Sequence, residues 1–152
     1  MKLKTKIFFG LTSHNVFIDN IHYKGYNHII AVTYQSDSNK EVWLPLINKN
    51  GQPSTYLFGT NWRKMSFGTN GANIDSIKLA NGIRDFTAFW AHKNNIDLNN
   101  AKFNIKVKKI DTPTKWQEDF LNIQIAKPWM DGGSIIWQSE KYIPYIKEIE
   151  KL

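Results

Sequence analysis

The stretch "NNAKFNIKVKKID", residues 99–111, alternates without a break, with Ala101, Phe103, Ile105 and Val107 on one side and Lys102, Asn104, Lys106 and Lys108 on the other. Successive side chains of a β-strand point to opposite faces, so a chain carrying this segment must build a sheet with one apolar face to cover and one polar face to wet. The polar side is expected to be a solvated basic row of Lys102, Lys106 and Lys108, with Lys109 at the strand end and no acid within the strand to neutralise it.

The rest of the chain supplies the partners of that strand. Short β-branched and aromatic runs separated by turn residues fill the first half, which is the pattern of antiparallel strands. The runs are "TKIFF", "NVFID", "HIIAVTYQ", "EVWLPLI", "TYLFG" and "WRKMSF". "SDSNK" at 36–40 reads as a hairpin connection, and "NKNGQP" at 48–53 holds an Asn-Gly pair suited to positive φ.

From Asp75 the period changes. Leu79, Ile83, Phe86 and Trp90 fall at steps of four, three and four, one face of a helix running to about Asn94-Asn95. Asp75 is the expected N-cap with Asn73 its competitor, and either terminal asparagine can take the left-handed C-cap conformation. The aromatic cluster "FTAFWAHKNN" is therefore expected to be core, with Phe89 at the border of the stripe and His92 exposed in the last turn.

Beyond residue 111, Thr114 and Gln117 have capping-box spacing, and Trp116, Phe120 and Ile123 follow at helical steps, so a short helix is expected there. "PWMDGGSIIWQ" reads as a turn at Asp131-Gly132-Gly133 leading into a strand. The tail places Ile143, Ile146, Ile149 and Leu152 at steps of three, a last helical turn or two. The expected architecture is one α+β domain over residues 1–152: an antiparallel β-sheet or sandwich with one long packed helix at about 75–94 and short C-terminal helical segments.

Chemistry is harder to find than fold. The absence of cysteine removes disulfides, thiolate nucleophiles and cysteine-based metal sites. His14, His22 and His28 lie near Asp19 without any metal-ligand spacing, and no nucleophile motif is present. "MDGGSIIWQSEK" is similar to a metal-dependent nuclease core, but Glu140 and Lys141 are adjacent, and strand neighbours cannot converge on one metal. No catalytic residue, metal site or cofactor is expected.

The net charge of +7 comes from 18 lysines against two arginines, Arg63 and Arg84. Base and phosphate readers rely on the bidentate arginine fork, so specific nucleic-acid binding is not expected. Such a basic excess suits a solvated face or an anionic surface instead. Of the six tryptophans, Trp43 and Trp90 lie in patterns that bury them, whereas Trp62 and Trp129 flank turns and are the surface candidates. Exposed Trp or Tyr with Asn could form a sugar platform, and Trp with Lys a membrane-interface belt.

Four strings, "GYNHIIAVTY", "VWLPLINKNGQP", "FTAFWAHKNNIDLNNAKFNIKVKKI" and "IAKPWMDGGSIIW", give the chain a resemblance to the soluble tail that follows the membrane spans in some uncharacterised bacterial multi-span membrane proteins. The resemblance covers nearly the whole chain and carries no functional motif. It implies a context: a bacterial, membrane-associated extramembrane domain, with a cytoplasmic protein the alternative. The expected function is then a non-enzymatic accessory or interaction domain whose partner is an anionic membrane surface or the membrane-embedded part of the same protein. A carbohydrate-binding module or an unrecognised hydrolase are the other readings. The candidate ligand-binding residues are Trp62, Trp129, Lys102, Lys106 and Lys108.

Overall fold

The computed structural model describes residues 26–36, 40–54, 76–111, 113 and 115–152. Five antiparallel strands form one sheet: β1 (Tyr26–Gln35), β2 (Glu41–Trp43), β3 (Lys102–Asp111), β4 (Met130–Gln138) and β5 (Lys141–Ile146). Their spatial order is β2-β1-β3-β4-β5, so the alternating segment that anchors the sequence reading is the central strand. Two helices, α1 (Ser76–Lys93) and α2 (Phe120–Ala126), and a terminal 3-10 turn (Ile149–Lys151) complete the described elements. This is the expected α+β class, realised in the described residues as a sheet and not a sandwich.

One face of the sheet is dry. Phe103, Ile105 and Val107 of β3, Ile30 and Val32 of β1, and Ile135 and Trp137 of β4 are buried with Leu79, Ile83, Phe86 and Trp90 of α1. Phe86 and Trp90 are 9% and 7% exposed, which makes the aromatic cluster of α1 core, as its helical spacing requires. Trp90 meets Phe103 edge-on at 6.1 Å, and Tyr34 tilts against both. Polar contacts pin the helix at its flank: the Tyr142 hydroxyl donates to Asn81 Oδ1 at 2.8 Å, and the Arg84 guanidinium lies 5.1 Å from the Tyr142 ring centroid.

Helix α1 ends where its asparagines predict. Asn95 takes φ 54°, and the N–H groups of Ile96 and Asn95 donate to the carbonyls of Ala91 and His92, the paired bonds of a left-handed helix stop. His92 is exposed in the last turn. The predicted caps Asn73 and Asp75, and the runs "TKIFF", "NVFID", "TYLFG" and "WRKMSF", lie outside the described residues.

The two early segments read as turns are flanked by the expected pairings, although residues 37–39 of the first lie outside the described residues. β1 pairs with β2 across residues 36–40. At 48–53, Gly51 adopts φ 87° and the Asn48 side chain accepts from the N–H groups of Asn50 and Gln52. The run "EVWLPLI" is a strand only to Trp43, followed at Ile47 by a single bridge to Pro53. Pro45 has no N–H to give a ladder, which explains the early stop.

Three later expectations are corrected. Asp131-Gly132-Gly133 is no turn; it is a β-bulge inside β4, where the pairing shifts between Ile105 and Lys106. Glycine is required there by close approach: Gly133 holds φ 110°, and a Cβ on it would fall 1.9 Å from the Tyr145 carbonyl oxygen. The tail residues Ile143 and Ile146 belong to β5 and not to a helix, because a two-residue reversal at Ser139-Glu140, with φ 47° and 64°, folds the chain back on β4. Only Ile149 to Lys151 is helical.

The third correction concerns only where α2 starts, since the expected short helix does form. It starts at Phe120, its N-cap Asp119 makes no side-chain capping bond, and Thr114 is outside the described residues. Trp116, which precedes the helix, and Ile123 are exposed, and the buried residue of the helix is Gln124.

Candidate functional site

The second face of the sheet follows from register. Lys102, Asn104 and Lys106 of β3 stand beside Ile136, Ser134 and Asp131 of β4, and Tyr145 of β5 stands beside Ser134. Among the described residues no helix crosses this region, because α1 packs on the opposite side and α2 sits further along β3. The result is an open basin of about 650 Å³ lined by Lys102, Asn104, Lys106, Asp131, Ser134 and Lys147 among others. Lys147 arrives from just past β5, and its backbone N–H donates to Gly132 O across the bulge. Three lysines and one aspartate thus share one shallow surface.

Their pairing decides how much charge is left for a partner. Lys147 Nζ lies 2.6 Å from Asp131 Oδ2, and the Gly133 N–H donates to Asp131 Oδ1 at 2.9 Å. The Lys147 ammonium, and after it the Gly133 N–H, hold the Asp131 carboxyl below its ordinary value against a smaller desolvation cost. Lys106 Nζ lies 3.0 Å from Glu41 Oε1, reaching across β1 to the edge strand β2. Burial pushes the Glu41 carboxyl up, but hydrogen bonds from Lys106 and Thr33, with the charges of Lys106 and Lys49, together bring it below its ordinary value. Among the described residues Lys102 is the basin lysine without an ion pair.

Lys108 does not belong to the solvated row. Although it projects to the same face as Lys106, it is 1% exposed. Its stem is covered by the turn at Gly51, where a Cβ would sit 3.7 Å from Lys108 Cδ. Its Nζ donates to the Ile125 carbonyl at 2.9 Å and lies 4.9 Å from the centroid of Trp129. Burial pulls its amine below the ordinary lysine range. Strand alternation assigns Lys108 to a face and says nothing of what covers that face, and here the cover is α2 and the 48–53 turn.

Trp129 belongs to the same cover. It is half-buried, meets Trp43 edge-on at 5.1 Å, and donates its indole N–H to Lys49 O at 2.7 Å. Trp62 lies outside the described residues. The structure therefore brings Lys102 and Lys106 together, sets Lys108 and Trp129 beneath α2 and the turn, and adds Lys147, Asp131 and Glu41, which sequence reasoning did not single out. Lys147 carries no strand signal of its own, and it enters the basin only because β5 folds back on β4.

A second depression of about 650 Å³ lies between the stop of α1 and the ends of the inner strands β1 and β3, lined by Tyr34, Gln35, Asn95, Asp97, Asn99 and Asn100 among others. Part of its polarity is used internally, since Asp97 Oδ1 accepts from the Asn99 N–H and Asn99 Oδ1 from the Ser139 N–H. Of the histidines, His28 is buried beside Tyr26, whereas His14 and His22, with Asp19, lie outside the described residues. Among the described residues no group of three His, Cys, Asp or Glu side chains is placed to hold a metal ion, and no helix is long and apolar enough to cross a membrane.

Comparison with protein-family models, with curated proteins and with solved structures finds no match for this chain.

Proposed function

We propose that this chain is a non-enzymatic interaction domain, the extramembrane part of a bacterial membrane-associated protein, and that it meets an anionic membrane surface through the open basin of its sheet. The observation that carries the reading is the placement of Lys102, Lys106 and Lys147 around one open surface, where Asp131, the lining carboxylate among the described residues, is already held by Lys147. Among the described residues the acids at the basin are Asp131 and Glu41, each already held by a lysine, so neither is free for the converging carboxylate pair that glycoside hydrolysis needs. The open basin suits diffuse contact with phosphates, where each lysine near an anionic leaflet contributes on the order of 1 kcal/mol and salt weakens the sum.

The test is co-sedimentation of the chain with phosphatidylglycerol-rich and with phosphatidylcholine vesicles, at low and at physiological salt. Binding to the anionic vesicles at low salt, reduced in the Lys102→Gln/Lys106→Gln/Lys147→Gln variant, is the expected result. No binding at low salt, or binding indifferent to those substitutions, rejects the reading.

The asparagine-lined depression supports a second reading, a carbohydrate-binding module. Amide and carboxylate groups beside the Tyr34 ring offer the polar contacts and apolar surface that sugars use. Amide-shift titration with neutral oligosaccharides tests it, and shifts clustered at residues 95–101 would favour it over the basin.

A further inference from the structure

Strand β5 ends the sheet, and its outer edge has no neighbouring strand among the described residues. Ile143, Pro144 and Tyr145 in the middle of it are exposed. Uncovered backbone N–H and C=O groups beside exposed apolar side chains are a template for another strand, and natural sheets carry features that keep such an edge from pairing. The opposite edge is limited by its length, since β2 has three residues.

Register determines which groups the β5 edge offers. In an antiparallel ladder, residues alternate between pairs that exchange both backbone hydrogen bonds and pairs that exchange none. The Lys147 N–H donates to Gly132 O at 3.0 Å, which puts Lys147 at a bonded position facing β4. By period two, Tyr145, Ile143 and Lys141 face β4 as well, as the two-residue reversal at Ser139-Glu140 requires of the Gln138–Lys141 pair that closes it. The main-chain groups of Tyr142, Pro144 and Ile146 therefore point outward. Pro144 is the central one, and it has no N–H to give.

We propose that β5 is a latent contact strand for a second copy of this chain and that Pro144 is the residue that keeps it unpaired. The outward pattern is symmetric about Pro144, with Tyr142 and Ile146 equally far on either side, so the strand matches itself under a two-fold axis. Antiparallel pairing of two copies would set Tyr142 of each against Ile146 of the other, and Pro144 against Pro144. The outer pairs can exchange their bonds, but the central pair makes neither of its own and encloses carbonyls that meet no donor. Lys141 of each copy would also stand opposite Lys147 of the other, like charges directly across a strand pair. Lys147 is partly neutralised by Asp131, so the proline is the larger obstacle. The inference is independent of the basin reading, because the groups involved are main-chain atoms at the sheet edge.

Sedimentation equilibrium and amide hydrogen exchange on the full chain test it. Pro144→Thr restores the N–H on a residue type that suits a strand. The parent should sediment as a monomer, and the variant should self-associate at least about tenfold more tightly through the hydrogen bonds regained at the central pair. In the parent the N–H groups of Tyr142 and Ile146 should exchange quickly while those of Ile143 and Tyr145 are protected. In the variant, exchange at Tyr142 and Ile146 should slow as protein concentration rises. Pro144→Ala, which restores the N–H with a smaller side chain, should move both readouts in the same direction. Variants that stay monomeric, self-association that leaves Tyr142 and Ile146 exchanging quickly, or a parent already paired through those groups would each overturn the proposal.

Discussion

The ammonium of Lys108 donates to the carbonyl of Ile125 at 2.9 Å, joining the central strand to the last turn of α2. A lysine that a strand pattern assigns to solvent is thereby a tether, and its removal should cost stability where its neighbours' removal does not. Lys108→Gln is expected to destabilise the fold by about 1–3 kcal/mol, through the lost hydrogen bond and the lost packing of the stem. Lys102→Gln, exposed and without an ion pair among the described residues, should stay within about 0.5 kcal/mol of the parent. Urea unfolding of the two variants separates them, and equal midpoints would remove the tether from the account.

The two acids that occupy basin lysines should restrain binding to anions. Asp131→Asn frees Lys147 and Glu41→Gln frees Lys106, so each is expected to tighten association with phosphatidylglycerol vesicles by a few fold, on the order of 1 kcal/mol per lysine released at most. Binding that weakens in both variants would mean that the acids position the lysines instead of masking them.

The same pairs give a pH dependence with a definite sign. Both carboxyls titrate lower in the folded chain than their ordinary values, 3.8 for Asp131 and 4.5 for Glu41. The folded state then binds fewer protons than the unfolded one below those values, so the stabilisation is fully present above about pH 4.5 and is lost as pH falls through the folded pKa values. Both carboxylates are largely solvated, which limits each pair to about 0.2–1 kcal/mol. Unfolding followed from pH 6 to pH 2 should show a shallower acid loss in the Asp131→Asn/Glu41→Gln variant than in the parent.

The bulge and the following reversal make opposite predictions for glycine. Gly133→Ala places a Cβ 1.9 Å from the Tyr145 carbonyl oxygen on backbone that already has φ 110°, and should destabilise by about 3 kcal/mol or more. At the β4–β5 reversal, Ser139 and Glu140 hold left-handed conformations that Asn-Gly adopts without strain, so Ser139→Asn/Glu140→Gly should stabilise by about 1 kcal/mol. Thermal unfolding midpoints moving in opposite directions confirm the two backbone conformations.

That reversal also shows where the sequence was legible and where it was not. Helix α1 and strand β3 could be read because their apolar spacing is long, regular and covered by one partner each. Ile143, Ile146, Ile149 and Leu152 also have a regular spacing, but the decisive event is a turn made by Ser-Glu, which lacks the Gly or Asn that announces a two-residue hairpin. Strand β5 and the place of Lys147 in the basin were hidden with it. Lys108 was misassigned for a different reason: period two reports a face, and the cover on that face comes from Gly51, Trp129 and Ile125, all distant in sequence. Trp116 and Ile123 satisfied a helical step that a sheet could have buried, yet Gln124, bonded to Asp111, is the residue α2 turns inward.

If the proposed membrane role holds, it is the open basin, and not the outer side of α1, that meets an anionic bilayer. Amide-shift mapping of the chain with phosphatidylglycerol-containing bicelles distinguishes the two faces. Shifts or broadening are expected at Lys102, Asn104, Lys106, Ser134 and Lys147, fading as salt is raised, with Arg84, Phe89 and His92 unmoved. Perturbations centred on α1, or none at low salt, would contradict it.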